Sequence, residues 1–108
     1  LFIILIIFYF MKINLKAKNF ELTPAIRSHV EEKLGGLDKY FNNIVQADVE
    51  VGKTTKGQNK GNLYFCEVNV SVPNKLLRYR KEFDDLYKAI NDAKKGIQNE
   101  IVKYKSQQ

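Results

Sequence analysis

The chain has 108 residues, of which 44% are hydrophobic and 28% charged, as expected for one soluble globular domain rather than a disordered segment. Its formal net charge of +6 favours polyanionic partners such as nucleic acid or an anionic membrane. The only cysteine, Cys66, excludes an internal disulfide, and one cysteine with one histidine excludes an ordinary four-ligand zinc site. Because nothing requires an oxidising compartment, we expect a cytoplasmic protein.

The first ten residues are wholly apolar and differ from the rest of the chain. They are fewer than the roughly 20 that a membrane-spanning helix needs, and they lack the basic start of a signal peptide. The pattern favours an apolar extension, outside the native domain, ahead of a native start at Met11. A longer first strand and membrane attachment are the alternatives. Residues 11–108 are then expected to form a single domain.

From Met11 the pattern predicts a strand and then a helix. Ile13, Leu15 and Ala17 alternate with polar residues, which indicates a strand with one solvated face. Thr23-Pro24 is typical of a helix start, with threonine as N-cap and proline at the first helical position. One apolar stripe follows, made of Ile26, Val30, Leu34 and Leu37. Gly35-Gly36 weakens the last turn, so we expect the helix to fray or end near there.

Three further strands are predicted next. Residues 46–51 alternate between polar and apolar side chains, and residues 52–62, which carry no large apolar side chain, predict a mobile hairpin loop. Residues 63–72 form a long alternating strand that buries Cys66 on its apolar face. Pro73-Asn74 predicts a turn into a fourth strand that ends near Phe83.

The C-terminal segment predicts a long helix. Asp84-Asp85 places negative charge at its start, and Gly96 interrupts it at a cost of about 1 kcal/mol. Its apolar stripe consists of Leu86, Ile90, Ala93, Ile97, Ile101 and Tyr104. We therefore predict an α+β fold of order β-α-β-β-β-α, in which two helices pack on one face of a four-stranded, largely antiparallel sheet.

Catalysis has little support in the sequence. Asp84 and Asp85 are interpreted as helix caps, His29 as a solvated surface histidine, and Cys66 as a small buried side chain. There is no phosphate-binding loop, dinucleotide motif or metal-ligand spacing. We expect neither an enzyme nor a cofactor, metal site or small-molecule substrate.

Nucleic-acid binding is better supported, because residues 75–108 hold nine Lys/Arg against five Asp/Glu. On the last helix Lys88 and Lys95 lie opposite the apolar stripe with Lys103 beside them, and Lys94 and Lys105 lie on the flank nearer the first helix. Such a row of cations can follow a phosphate backbone, although an ordinary solvated face has the same composition. Arg27, Lys33 and Lys39 on the first helix could extend the patch across the paired helices. The loop residues Lys53, Lys56 and Lys60 could also reach RNA or belong only to a flexible turn.

Two segments resemble one known family. Thr23-Pro-Ala-Ile-Arg-Ser-His-Val30, with Glu32-Lys-Leu and Leu37-Asp-Lys-Tyr40, resembles the first helix of the ribosome-associated inhibitor A and hibernation promoting factor family. Asp85-Leu-Tyr-Lys-Ala-Ile-Asn91, with Lys103-Tyr-Lys105, resembles its last helix. The resemblance runs from Met11 to about Lys105, and the chain, ending at Gln108, resembles the short form.

The resemblance implies a fold like that of double-stranded-RNA-binding domains and a cytoplasmic translation inhibitor active under stress or in stationary phase. Its implied partner is the 16S rRNA of the small ribosomal subunit, where it would block the mRNA and tRNA sites; we expect a monomer off the ribosome and no membrane partner. Carried over by position, Arg27, Lys33, Lys39, Lys103 and Lys105 fall on sites that are usually basic, whereas Gly36, Gly96 and Asn99 replace basic residues. Short forms either promote or block ribosome pairing, and the sequence is compatible with both.

Two other functions are compatible with the sequence. A general structured-RNA-binding protein without preference for ribosomes would carry the same cations. A protein-interaction module would instead pair through an exposed edge of the sheet.

Overall fold

The computed structural model describes residues 12–39, 44, 46–54 and 63–107. The apolar extension at residues 1–10 and the loop lysines Lys56 and Lys60 lie outside the described residues. The elements follow in the order β1 (Lys12–Lys18), α1 (Pro24–Leu34), a 3-10 helix (Leu37–Lys39), β2 (Gln46–Thr54), β3 (Leu63–Val72), β4 (Lys75–Phe83) and α2 (Leu86–Ser106).

The four strands form one mixed sheet in the order β1-β2-β3-β4. β1 is parallel to β2, because a crossover that contains α1 connects them, and the other two pairs are antiparallel. Pro73-Asn74 makes the turn from β3 to β4 with a φ of 65° at Asn74, a left-handed conformation that asparagine tolerates well. The predicted fold is confirmed.

The core lies between one face of the sheet and the two helices. Val49 and Val51 of β2 and Cys66 and Val68 of β3 are buried there, as the alternation in the sequence predicts. The predicted helix stripes meet them from the other side: Ile26, Val30 and Leu34 of α1, Leu37 beyond it, and Ile90, Ala93, Ile97, Ile101 and Tyr104 of α2. Leu86, the first member of the α2 stripe, is half-buried against the same core.

Both helices begin at the predicted caps. Thr23 Oγ1 accepts a hydrogen bond from the Ile26 amide at 3.2 Å. The Asp85 carboxylate accepts from the Tyr87 and Lys88 amides at 2.8 and 3.2 Å, which satisfies two of the donors that a helix start leaves unpaired.

The C-terminal ends of the helices differ from each other. α1 ends at Leu34, before the glycine pair, whereas α2 continues through Gly96 without a break. Near its end, the Tyr104 hydroxyl donates to the Pro73 carbonyl at 2.7 Å, which holds α2 against the β3–β4 turn. This bond ties the C-terminal end of α2 to the sheet.

The second face of the sheet is densely charged, and neither α1 nor α2 packs on it. Arg78 pairs with Glu67 across β3 and β4 at 2.6 Å, and Arg80 lies 3.4 Å from Glu82. Phe65 is an apolar residue on this face, and its ring is buried under the Arg80 guanidinium, 3.9 Å from the ring centroid. The arginines of this face are thus engaged within the domain.

Candidate nucleic-acid interface

The exposed side of α2 presents a row of lysines. Lys88, Lys95 and Lys103 are all exposed and lie opposite or beside the buried stripe, as a rotation of about 100° per residue requires. Asn99 is also exposed and lies between Lys95 and Lys103, so that this row has a neutral residue at its centre. A continuous helix of 21 residues holds these positions in register.

His29 of α1 contacts two residues of α2 at the seam between the helices. Its Nε2 donates to Asn91 Oδ1 at 2.9 Å, and its ring meets the Tyr87 ring edge-on with centroids 4.7 Å apart. The expectation of a solvated surface histidine was therefore incomplete, because this half-buried side chain joins the two helices.

Beside this seam, lysines from both helices converge. One shallow groove is lined by Lys33 of α1 together with Asn91, Lys94, Lys95 and Gln98 of α2. Residues far apart in the sequence, on the first and last helices, thus meet on one surface. We call Lys33, Lys94 and Lys95 the groove lysines.

Other predicted site residues lie outside this groove. Arg27 is exposed two residues before His29 and therefore about 160° from it around the axis of α1, on the flank away from the seam. Lys39 is exposed in the 3-10 helix, and its side chain lies next to the space that a β-carbon at Gly36 would occupy. Lys105 is exposed in the last turn of α2.

The groove lysines have no internal counter-charge in the part of the chain that the structure describes. No carboxylate there lies within 4.0 Å of their ammonium groups, nor of those of Lys103 and Lys105. Lys88 is the exception on this face, at 3.9 Å from Asp84, but both side chains are mostly exposed and such a pair contributes little. The cations are therefore available to an external anion.

A contact between β4 and α2 was not anticipated from the sequence. The Tyr79 hydroxyl donates to Asp92 Oδ2 at 2.6 Å, and its ring occupies the space that a β-carbon at Gly96 would need. The hydrogen bond and burial raise the pKa of Tyr79 to about 12. A basic residue at position 96 would not leave space for this ring, whereas Gly96 does. Its only sequence signal was a glycine within a helical pattern.

The described residues do not favour other kinds of site. They include no cluster of three or more metal-ligating His, Cys, Asp or Glu side chains. Cys66 is fully buried, and desolvation raises the pKa of its thiol to about 12, so it remains protonated near neutral pH. None of the helices in the described ranges has the length and apolar character to span a membrane.

A comparison with protein families identifies the group to which this domain is related. The model of the family described as Sigma 54 modulation protein / S30EA ribosomal protein matches residues 13–108. The chain belongs to this family. The resemblance noted in its two helices is thereby confirmed, and the S30EA family is not an enzyme family.

Among known S30EA relatives, the chain is 33% identical to the ribosome hibernation promotion factor of Bacillus subtilis over 96 residues, which cover 89% of this chain and 49% of that protein. It is 32% identical to the factor of the same name from Lactococcus lactis, over 89% of this chain and 50% of that protein. The chain thus spans about half the length of these relatives.

Solved structures share the fold. The N-terminal domain of Thermus thermophilus Protein Y superposes with a TM-score of 0.74 at 30% identity, covering 87% of this chain and 99% of that domain. A ribosomal subunit interface protein from Coxiella burnetii gives a TM-score of 0.72 at 20% identity, over 89% of this chain and 99% of that one.

Proposed function

We propose that this S30EA domain binds the ribosome and acts in ribosome hibernation. One observation carries the proposal: the groove lysines of two helices converge on one surface, and no carboxylate of the described residues pairs with them. Membership of the family and the names of the two hibernation promotion factors support the ribosome as partner.

The proposed contact is with the phosphate backbone of 16S rRNA in the decoding region of the small subunit. Three ammonium groups in one groove repel each other in the free protein, and a bound phosphate relieves that repulsion while releasing condensed counterions. Once seated, the domain would exclude mRNA and tRNA by occupying their space, so that silencing under stress or in stationary phase needs no chemical step and no cofactor. In this proposal the protein is cytoplasmic and is a monomer when it is not bound to the ribosome.

The exposed side chains of the interface favour recognition of RNA shape over reading of bases. Among the large hydrophobic side chains of the described residues, only Tyr87 is an exposed aromatic ring, and its edge contact with His29 holds it at the seam. Single-strand platforms instead present several stacking rings, whereas folded RNA is recognised mainly by backbone contacts. Lysines in a shallow groove fit the second mode.

Charge reversal of the groove tests the proposal. The triple variant Lys33→Glu, Lys94→Glu, Lys95→Glu should lose binding to purified small subunits in co-sedimentation at low salt. Each phosphate that the variant no longer neutralises should reduce the slope of log affinity against log salt by about 0.9. If three phosphate contacts are lost, raising the salt from about 50 to 200 mM should weaken binding of the variant roughly 40-fold less than it weakens binding of the wild type.

A matched control changes the charge equally at exposed lysines of the sheet: Lys12→Glu, Lys18→Glu and Lys75→Glu. This variant should keep most of its affinity and the wild-type salt slope. Equal loss in both variants would mean that net charge, and not the groove, determines binding. Competition with duplex RNA tests the alternative of a general structured-RNA binder, which would bind the duplex as tightly as the subunit. Salt-insensitive self-association would instead favour a protein-interaction module.

A further inference from the structure

We call the exposed side of α2 that carries Lys88, Lys95 and Lys103 the cation face. An acidic residue, Asp92, lies at its edge beside β4. Asp92 lies four residues after Lys88 and three before Lys95, spacings at which oppositely charged side chains on a helix are neighbours and pair. The three residues line one shallow pocket with Phe83 and Asn91. An unrestrained carboxylate at this position would compete with any external phosphate for both lysines.

In the structure, Asp92 is not paired with either lysine. Lys88 lies 3.9 Å from Asp84, and Lys95 has no carboxylate within 4.0 Å among the described residues. Asp92 Oδ2 instead accepts a hydrogen bond of 2.6 Å from the Tyr79 hydroxyl. A short hydrogen bond to a charged acceptor is among the stronger ones in proteins, so it can hold the side chain in this orientation.

The tyrosine reaches Asp92 because residue 96 is glycine. A β-carbon at position 96 would overlap three atoms of the Tyr79 ring, so the ring can cross α2 only where that atom is missing. Its hydroxyl then meets the carboxylate one turn earlier in the helix. Asp92, Gly96 and Tyr79 therefore form one structural unit at the edge of the cation face.

We propose that Tyr79 is a positioning residue of the RNA-binding face: it holds the Asp92 carboxylate toward β4, so that Lys88 and Lys95 are free to bind phosphate. This inference rests on the proposed function of the face. Gly96 carries no cation itself, but by leaving room for the Tyr79 ring it keeps the neighbouring lysines available.

Tyr79→Phe tests the proposal, because it keeps the ring over Gly96 and removes only the hydroxyl. Freed from its donor, Asp92 should pair with one or both lysines. The affinity for purified small subunits should fall by about two- to fivefold, the effect of one or two exposed ion pairs on a helix. Affinity is measured by titration of labelled protein at fixed low salt, after urea unfolding has shown that the variant is folded.

Asp92→Asn distinguishes positioning from a merely structural role. In the Asp92→Asn background the second change Tyr79→Phe should leave affinity unaltered, since no carboxylate remains to be held. If Tyr79→Phe weakens binding equally with and without Asp92, or weakens it in neither background, the proposal is overturned. A wild-type protein that does not bind small subunits would instead overturn the proposed function.

An NMR titration of tyrosine side chains gives a readout that is independent of RNA. Tyr79 should ionise near pH 12, and Asp92→Asn should return its pKa toward the ordinary value of 10.0, because the carboxylate is the main cause of the shift. An unchanged Tyr79 pKa in Asp92→Asn would show that the two groups do not interact in solution, which would also overturn the proposal.

Discussion

Replacing Gly96 by alanine tests the packing between β4 and α2 directly. In an exposed helix the change stabilises, by about 1 kcal/mol, because alanine loses less backbone entropy and is the better helix former. Here the new methyl group would overlap the Tyr79 ring, whose atoms cannot move independently because the ring is rigid. The expected sign is therefore the reverse.

The magnitude follows from two costs and one gain. Forcing an extra methyl group into a packed contact costs typically about 1–3 kcal/mol. If the ring turns away to relieve the overlap, its hydrogen bond to Asp92 also breaks, at a cost of about 1 kcal/mol for a partly exposed bond. After the helix-propensity gain of about 1 kcal/mol is subtracted, Gly96→Ala should lower the free energy of unfolding by about 1–3 kcal/mol.

Urea unfolding followed by circular dichroism measures this change. Asn99→Ala is the matched control, because residue 99 is exposed on the same helix, and it should be neutral or stabilise by a few tenths of a kcal/mol. In a Tyr79→Ala background, Gly96→Ala should stabilise, since the ring is absent. Stabilisation by Gly96→Ala in the wild-type background would refute the packing argument.

Three smaller predictions concern other described contacts. Asp85→Ala should lower the free energy of unfolding by about 1 kcal/mol in a thermal or urea melt, because the two amides that the carboxylate caps lose their acceptor; an unchanged midpoint would contradict this role. Cys66, with its pKa raised to about 12, should react with a thiol reagent such as DTNB at about pH 8 only as fast as the protein unfolds, and immediate labelling of the native protein would contradict its burial. The pKa of Asp48 is lowered chiefly by hydrogen bonds from Asn14 and Gln46, so its contribution to stability is present above the unfolded-state pKa and disappears as pH falls through the lower folded-state value. Asn14→Ala should therefore destabilise the protein more at about pH 7 than at about pH 2, and an equal effect at both would assign the loss to packing.

The exposure of single lysines in the candidate interface could be predicted from the sequence, but their positions relative to one another could not. The exposure of Lys88, Lys95 and Lys103 follows from the helical period and the apolar stripe, both of which are local. The meeting of Lys33 with Lys94 and Lys95 depends on the rotation of each helix about its own axis. That rotation depends on the packing of both helices on the core and on contacts between them such as those of His29 with Asn91 and Tyr87, and helical spacing within one segment does not predict contacts between two segments.

The order of elements, the caps, the two apolar stripes and the alternation of the strands could all be inferred from local sequence patterns. Each of these depends on neighbours within a few residues, where the periods of helix and strand act. Three features became visible only in the folded domain: β1 runs parallel to β2, the groove lysines converge while Arg27 lies on the other flank, and Gly96 accommodates Tyr79. The physical reason is that these features arise from packing between elements distant in the chain, whose relative rotation and spacing depend on all the side chains between them.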